Sequence, residues 1–245
     1  MKVAILTTET PHHVYFVREV AKRFPVARVF RETQKVFPSF ETAHPYEDER
    51  ERFERGLWFG DTTGSLNEFA ETQSVVTMND PYAVQALDSL QPDAVVVFGT
   101  GRLKQPVIAV QPERMFNLHG GDPERYRGLD THLWAIYHND FPGLVTTLHR
   151  VTPVLDNGDI VSQAPLALAR GMLLKDLRAA NTRICVTLTL AALSQLAERG
   201  VISSRPQAHV GRYYSFMPTV LKDLVCKKFA AHTAKLHPIA LVDPA

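Results

Sequence analysis

PDAVVVFGTGRLKQPVIAVQPERMFNLH, residues 92–119, is the stretch from which the fold is read. Ala94–Phe98 is an unbroken apolar run rich in β-branched residues, the composition of a strand covered on both faces. Gly99-Thr100-Gly101 breaks it, residues 107–110 close a short helix, and residues 114–118 form a second strand. The same unit recurs upstream. Residues 2–8 read as a buried strand. Thr10-Pro11 offers a cap and a first-turn proline, and Val14, Phe16, Val17, Val20 and Phe24 continue at helical spacing into a strand at 26–30. A strand at 75–78 and a helix over Pro81–Leu90 complete the series. Strands that alternate with helices predict an α/β, Rossmann-like, doubly wound and mostly parallel sheet. Its ligands are expected beyond the carboxyl ends of the strands.

Between the second and third strands, residues 32–61 are polar and contain YEDERERFERG (46–56), which reads as a solvated helix or loop. Downstream, 132–139 reads as a short helix, 144–150 and 160–168 as strands, and 172–198 as a long helix closed by Gly200. The chain then changes character, with a strand or hairpin at 207–217 and a short basic helix at 218–229. A boundary near residue 203 divides a catalytic domain, 1–203, from a small hairpin-and-helix appendage, 204–245.

The 245 residues suffice for one such domain with an appendage. With 27 basic and 26 acidic residues the net charge is +1, which gives no support for a nucleic-acid or membrane partner. Cys185 falls in an apolar helical pattern and Cys226 in a Lys-rich tail. Neither has ligand or disulfide spacing, so no metal and no disulfide are expected. No apolar run has the length of a signal-peptide core or of a membrane span, so a cytoplasmic protein is expected.

The chemistry concentrates between residues 116 and 160. Asn117 and His119 stand two apart on a strand, so both project to one face at its carboxyl end, and Gly120-Gly121 let the chain turn behind them. Asp156 sits in an Asp-Asn-Gly turn between two strands. An amide, an imidazole and a carboxylate suit acyl transfer to an amine: the amide donates to a developing oxyanion, the imidazole takes the amine proton, and the carboxylate orients the imidazole and favours its charged form. Each element also has a structural reading. Asn-Leu-His can cap a turn, Asp-Asn-Gly is a common turn, and His132 and His149 can be satisfied core or surface histidines.

Taken in order, Asn117-Leu118-His119, Tyr126-Arg127-Gly128, Gly143 with Thr147-Leu148-His149, and Leu155-Asp156-Asn157-Gly158 resemble the catalytic core of the folate-dependent formyltransferases. The resemblance is strongest over residues 90–170, and its outline is closest to the sugar-nucleotide N-formyltransferases. It implies formyl transfer from N10-formyltetrahydrofolate to an amine, with Asn117, His119 and Asp156 as catalytic residues. It places Phe98, Gly99, Thr100, Gly101, Arg102 and Leu103, with Thr152 and Leu155, around the pterin. One departure stands out: His119-Gly120-Gly121-Asp122-Pro123-Glu124 replaces the family's His-Pro-Ser-Leu-Leu-Pro, whose leucines help wall the folate pocket.

For the acceptor, a tRNA-directed member is expected to carry a large basic domain after the core, whereas only 204–245 follows here. A purine-pathway member is expected to have a glycine-rich loop where this chain has Thr7-Thr8-Glu9-Thr10-Pro11-His12. A small amine on a nucleotide-linked sugar is the expected substrate. Glu9, Thr10, His12, Tyr126, Arg127 and Tyr213 are candidate contacts, Tyr213 as a base-stacking ring in a C-terminal hairpin that also offers a homodimer interface. Alternatives are another small amine such as an amino-acid derivative or glycinamide ribonucleotide, a formyl-folate hydrolase, a non-catalytic folate-binding domain, and a metal hydrolase using His119, Asp122, His132 and His149.

Overall fold

The computed structural model describes residues 1–60, 62 and 64–237, and the last part of the sequence-defined appendage, 238–245, lies outside the described residues. In chain order the elements are β1 (Val3–Thr7), α1 (Pro11–Ala21), β2 (Val26–Glu32), α2 (Pro45–Phe59), β3 (Thr72–Val75), α3 (Pro81–Leu90), β4 (Ala94–Phe98), α4 (Gln105–Ile108), β5 (Met115–His119), β6 (Tyr126–Gly128), α5 (Thr131–Tyr137), β7 (Val145–Arg150), β8 (Ile160–Pro165), α6 (Leu174–Arg199), β9 (Arg212–Tyr214) and α7 (Thr219–Thr233).

Seven strands form one sheet in the order β3-β2-β1-β4-β5-β7-β8. The first five are parallel, β7 pairs antiparallel with β5, and β8 pairs antiparallel with β7 at the edge. Alternate residues of each central strand enter different cores. Ile5, Val96 and Phe116 meet α1 and α6 on one face, while Leu6, Val97 and Met115 meet α3 and α4 on the other. Burial on both faces is why these strands are continuously apolar rather than alternating. Each fully buried valine or isoleucine adds about 1.5–3 kcal/mol of transfer free energy. The winding reverses between β1 and β4, and the crevice beyond Thr7 and Phe98 is the position where such sheets take ligands.

Helix starts follow local chemistry. Asp80 accepts from the Tyr82 amide at 2.8 Å with Pro81 in the first turn, and His44 and Glu47 cap α2 reciprocally around Pro45. Thr10 occupies the cap position of α1 but makes no cap bond; its hydroxyl lies 2.7 Å and 2.8 Å from the Nδ1 atoms of His12 and His13.

Three sequence expectations are corrected. The third strand is Thr72–Val75 rather than 75–78, because its register against Val29–Glu32 pairs Val75 with Glu32 and ends there. The charge run at 46–56 is helical but not wholly solvated: Glu54 is completely buried and forked onto Arg178 of α6 at 2.7 Å and 2.6 Å. No hairpin forms within 207–217 among the described residues. Instead β9 runs parallel to β6 as a separate two-stranded sheet, and Arg205 bridges to Ile160. The segment beyond 203 then enters a third core, where Met217, Val225 and Phe229 pack with Leu133, Ile136 and Leu177.

Candidate active site

A cleft of about 1280 Å³ opens at the carboxyl ends of β1, β4 and β5. Asn117, His119, His149 and Asp156 all line it. Asn117 and His119 share a face of β5, as their spacing requires. The antiparallel register of β5 and β7 sets His149 directly across from Asn117, and the Asn117 Nδ2 atom lies 3.1 Å from His149 Nε2. Asp156 holds the left-handed conformation, φ 50°, in the bend before β8, a strained placement that brings its carboxylate back over the strand ends. One carboxylate oxygen accepts from the Gly128 amide at 2.8 Å. The other lies 3.7 Å from His119 Nδ1 and 3.5 Å from His149 Nε2.

Backbone carbonyls assign the tautomers. His119 Nε2 is 2.8 Å from the Tyr126 carbonyl, so it carries the proton and donates, leaving a lone pair on Nδ1 facing Asp156. His149 Nδ1 is 2.8 Å from the Arg150 carbonyl and likewise donates, so its Nε2 accepts from the Asn117 amide nitrogen. That contact fixes which way the Asn117 amide faces and leaves its second N–H for a ligand.

The sequence reading of the carboxylate needs correction on one point, its orienting role, while its effect on the imidazole charge has the expected sign but is outweighed. The ring of His119 is oriented by the Tyr126 carbonyl rather than by Asp156. Burial also dominates its titration, holding the imidazole below its ordinary value of 6.5 although Asp156 acts in the opposite sense. Burial alone would raise Asp156, but the two imidazoles and the Gly128 amide outweigh it and hold the carboxyl at about 2. The resulting ground state is a neutral imidazole with its free lone pair aimed at an ionised carboxylate.

The backbone of the YRG segment supports this arrangement. Gly128 has φ 96°, and a Cβ there would collide with the Tyr214 carbonyl, so only glycine brings this amide to Asp156 while β6 pairs with β9. The side chains of Tyr126 and Arg127, expected at the substrate, do not line the cleft: the Tyr126 hydroxyl donates to Asp140 at 3.0 Å, and the Arg127 guanidinium donates to the Leu155 carbonyl, anchoring the Asp156 bend. Gln207 does the same from beyond residue 203, donating to the carbonyls of Asp156 and Gly158 at 2.9 Å each.

Gly99, Thr100, Gly101, Arg102, Leu103, Thr152 and Leu155 line the cleft as expected of a pocket wall, and Arg102 ties the two segments together through the Pro153 carbonyl at 2.6 Å. Phe98 does not line it; its ring packs edge-on against His12, His13 and Phe16. Glu9 and Thr10 line the cleft, but the Glu9 carboxylate is engaged by Arg31, Ser65 and the Leu66 amide. His12 is buried beneath it and kept neutral, its pKa pushed well down by burial. Tyr213 stands at the rim, 57% exposed. Of the unusual segment after His119, Gly120 alone reaches the cleft. A Cβ at Gly121 would crowd the Thr131 hydroxyl and His119 Nε2 at about 3 Å, and Glu124 turns away to pair with Arg205 at 2.7 Å. Among the described residues no group of three or more His, Cys, Asp or Glu side chains could hold a metal ion, and no helix is long and apolar enough to cross a membrane. Cys185 and Cys226 are both free thiols, the first in the core.

A doubly wound sheet whose switch-point cleft gathers an amide donor, a neutral imidazole and an ionised carboxylate defines a class of protein equipped for acyl transfer without a side-chain nucleophile. The chain belongs to the formyl transferase family, whose model matches residues 19–180. A methionyl-tRNA formyltransferase from Koribacter versatilis is 32% identical over 132 residues, covering 54% of this chain and 41% of that one. The chain therefore spans less than half the length of this curated relative. Among solved structures, a candidate sugar N-formyltransferase from Mycobacterium tuberculosis shares the fold at TM-score 0.60 and 16% identity, over 87% of this chain and 75% of that one. The formyltransferase PseJ from Anoxybacillus kamchatkensis, solved with a UDP-linked formamido sugar and tetrahydrofolate, does so at TM-score 0.51 and 17% identity, over 91% and 89%.

Proposed function

We propose that this chain transfers a formyl group from N10-formyltetrahydrofolate to the primary amine of a small acceptor, a nucleotide-linked amino sugar being the favoured class. The observation that carries the reading is the placement of His119 Nδ1 3.7 Å from the Asp156 carboxylate, where a proton taken up by the ring would be stabilised, beside a fixed Asn117 amide. Formyl-folate supplies an activated carbonyl. The residues fit such a ligand: Val97, Leu103, Val151 and Leu155 give the 99–103 side of the cleft an apolar wall suited to a flat bicyclic ring.

In this reading the acceptor nitrogen adds to the formyl carbon and the carbonyl oxygen takes up negative charge. The spare Asn117 N–H donates to that oxygen, a contribution of about 3–4 kcal/mol for one well-placed donor. His119 Nδ1 takes the proton the amine loses, and Asp156, already ionised, stabilises the imidazolium. The proton then passes to N10 as the carbon–nitrogen bond to the carrier breaks, releasing tetrahydrofolate and the formamide. The catalytic unit spans 1–203, and the appendage contributes Gln207 behind Asp156 and Tyr213 at the rim.

Support for a sugar nucleotide comes from the exposed Tyr213 ring beside a cleft roomy enough for two ligands, and from the PseJ complex. A second reading, an aminoacyl-tRNA acceptor, is favoured by the curated relative. The test is a panel of amines incubated with the chain and formyl-folate: UDP- and dTDP-linked amino sugars, glycinamide ribonucleotide, free amino acids and methionyl-tRNA, each scored by mass gain of one formyl group. Gain on the sugars alone supports the proposal. Gain on methionyl-tRNA alone selects the second reading, and release of formate with no acceptor modified means hydrolysis.

A further inference from the structure

Across the cleft from the 99–103 loop, the wall is built by α2 and α6 and by the segment after Gly128. Arg50 of α2 lines this wall. Its Nε is buried, and no atom of its guanidinium has a hydrogen-bond or ion-pair partner among the described residues. The carboxylates around it act on its charge without bonding to it, each holding another partner. Glu54 is forked onto Arg178, Glu47 is bonded to Lys222 at 2.8 Å, and Asp130 accepts from the Met217 amide at 2.8 Å. The guanidinium carbon lies over the ring of Tyr46, 5.4 Å from its centroid and within cation–π range.

A guanidinium carries five N–H donors in a rigid fork, and burying its Nε without a partner is costly. The arrangement cannot be explained by fold stability: α2 is already pinned to α6 by the Glu54–Arg178 fork and capped at His44. A planar fork held over an aromatic ring and left open toward a cleft matches the bidentate geometry of a carboxylate or a phosphate. We infer that Arg50 is the anion-docking residue at the acceptor end of the cleft, and that the amine substrate carries a carboxylate or phosphate that it grips. The inference rests on the formyl-transfer reading only for whose anion this is.

The test separates the two. Binding of pyrophosphate, glutarate and neutral glutaramide is measured at low ionic strength by calorimetry on the full chain, for wild type, Arg50→Gln and Arg50→Lys, in the absence of folate. At least one anion should bind wild type, at least tenfold less well to Arg50→Gln and with partial recovery in Arg50→Lys, while glutaramide binds none of them. Preference for pyrophosphate identifies a phosphate-bearing acceptor, and preference for glutarate a carboxylate-bearing one. Arg50→Gln should melt close to the wild-type temperature, since the half-buried guanidinium makes no hydrogen bond or ion pair among the described residues, whereas loss of a purely structural arginine would lower it. Absence of anion binding to wild type, or equal binding by Arg50→Gln, overturns the inference. Anion binding that depends on Arg50 in a chain that transfers no formyl group leaves the site standing and removes the formyl-transfer reading.

Discussion

Lowering the pH from 7 to 5 should weaken this fold through its buried histidines, and His13 permits the size to be worked out. Its ring is buried under the switch point, with Nδ1 3.0 Å from the Thr8 hydroxyl, and burial followed by repulsion from Arg178 holds its pKa at about 3 against 6.5 in an open chain. A histidine whose folded value is depressed contributes stability that is complete above the unfolded value and is lost as the pH falls toward the folded one. At pH 5 the unfolded chain binds almost a full proton there and the folded chain almost none. The difference is worth about 2 kcal/mol, against a small fraction of that at pH 7. His12 and His119 are shifted in the same direction, so their effects add. With total stabilities of about 5–15 kcal/mol, such a loss moves a urea midpoint measurably. The assay is urea unfolding at both pH values for wild type and His13→Gln. The variant should lose about 2 kcal/mol less than wild type between pH 7 and 5. Equal losses in the two proteins would refute the reasoning, because the ring would then titrate normally in the folded state.

Asp156→Asn should reduce turnover and move the acidic limb of the kcat/KM profile to lower pH, since the carboxylate raises a His119 that burial lowers; a limb unmoved in a pH–rate series would mean that the two groups are uncoupled. In wild type that limb should lie below pH 6.5, activity disappearing as the falling pH protonates the base. Arg178→Met should destabilise the chain by about 3–5 kcal/mol in denaturant melts, because it strands the fully buried Glu54 carboxylate, and Glu54→Gln in the same background should restore part of the loss. Gly128→Ala should cost both stability and turnover, since its φ of 96° and the Tyr214 carbonyl leave no room for a methyl group; a variant with wild-type melting temperature and rate would contradict the role given to the Gly128 amide.

The parallel sheet and its switch point were legible because a strand covered on both faces must be apolar throughout, and 94–98 and 3–6 are. That Asn117, His119 and Asp156 meet in one cleft was legible from two residues sharing a strand face and from the order of the motifs that carry the family resemblance, since an Asp-Asn-Gly turn alone is a common structural one. His149 escaped assignment: its contact with Asn117 is set by the antiparallel register of β5 and β7, which no spacing along the chain displays. Tyr126 and Arg127 were expected at the substrate, whereas the Tyr126 backbone carbonyl accepts the His119 N–H and the Arg127 guanidinium holds the Leu155 carbonyl to shape the bend. Glu54 read as one more solvated charge because its partner lies 124 positions away. The parallel pairing of β9 with β6 joins segments far apart in the chain, where a local hairpin was the simpler reading of Gly211 and the two tyrosines.

Formyl transfer in this chain depends most directly on the neutral imidazole of His119 as proton acceptor. Single-turnover transfer from formyl-folate to whichever acceptor the panel identifies, compared between wild type and a folded His119→Ala chain, measures that role. A fall of about 10²–10⁴-fold in the transfer rate is expected; transfer at the wild-type rate would contradict the account.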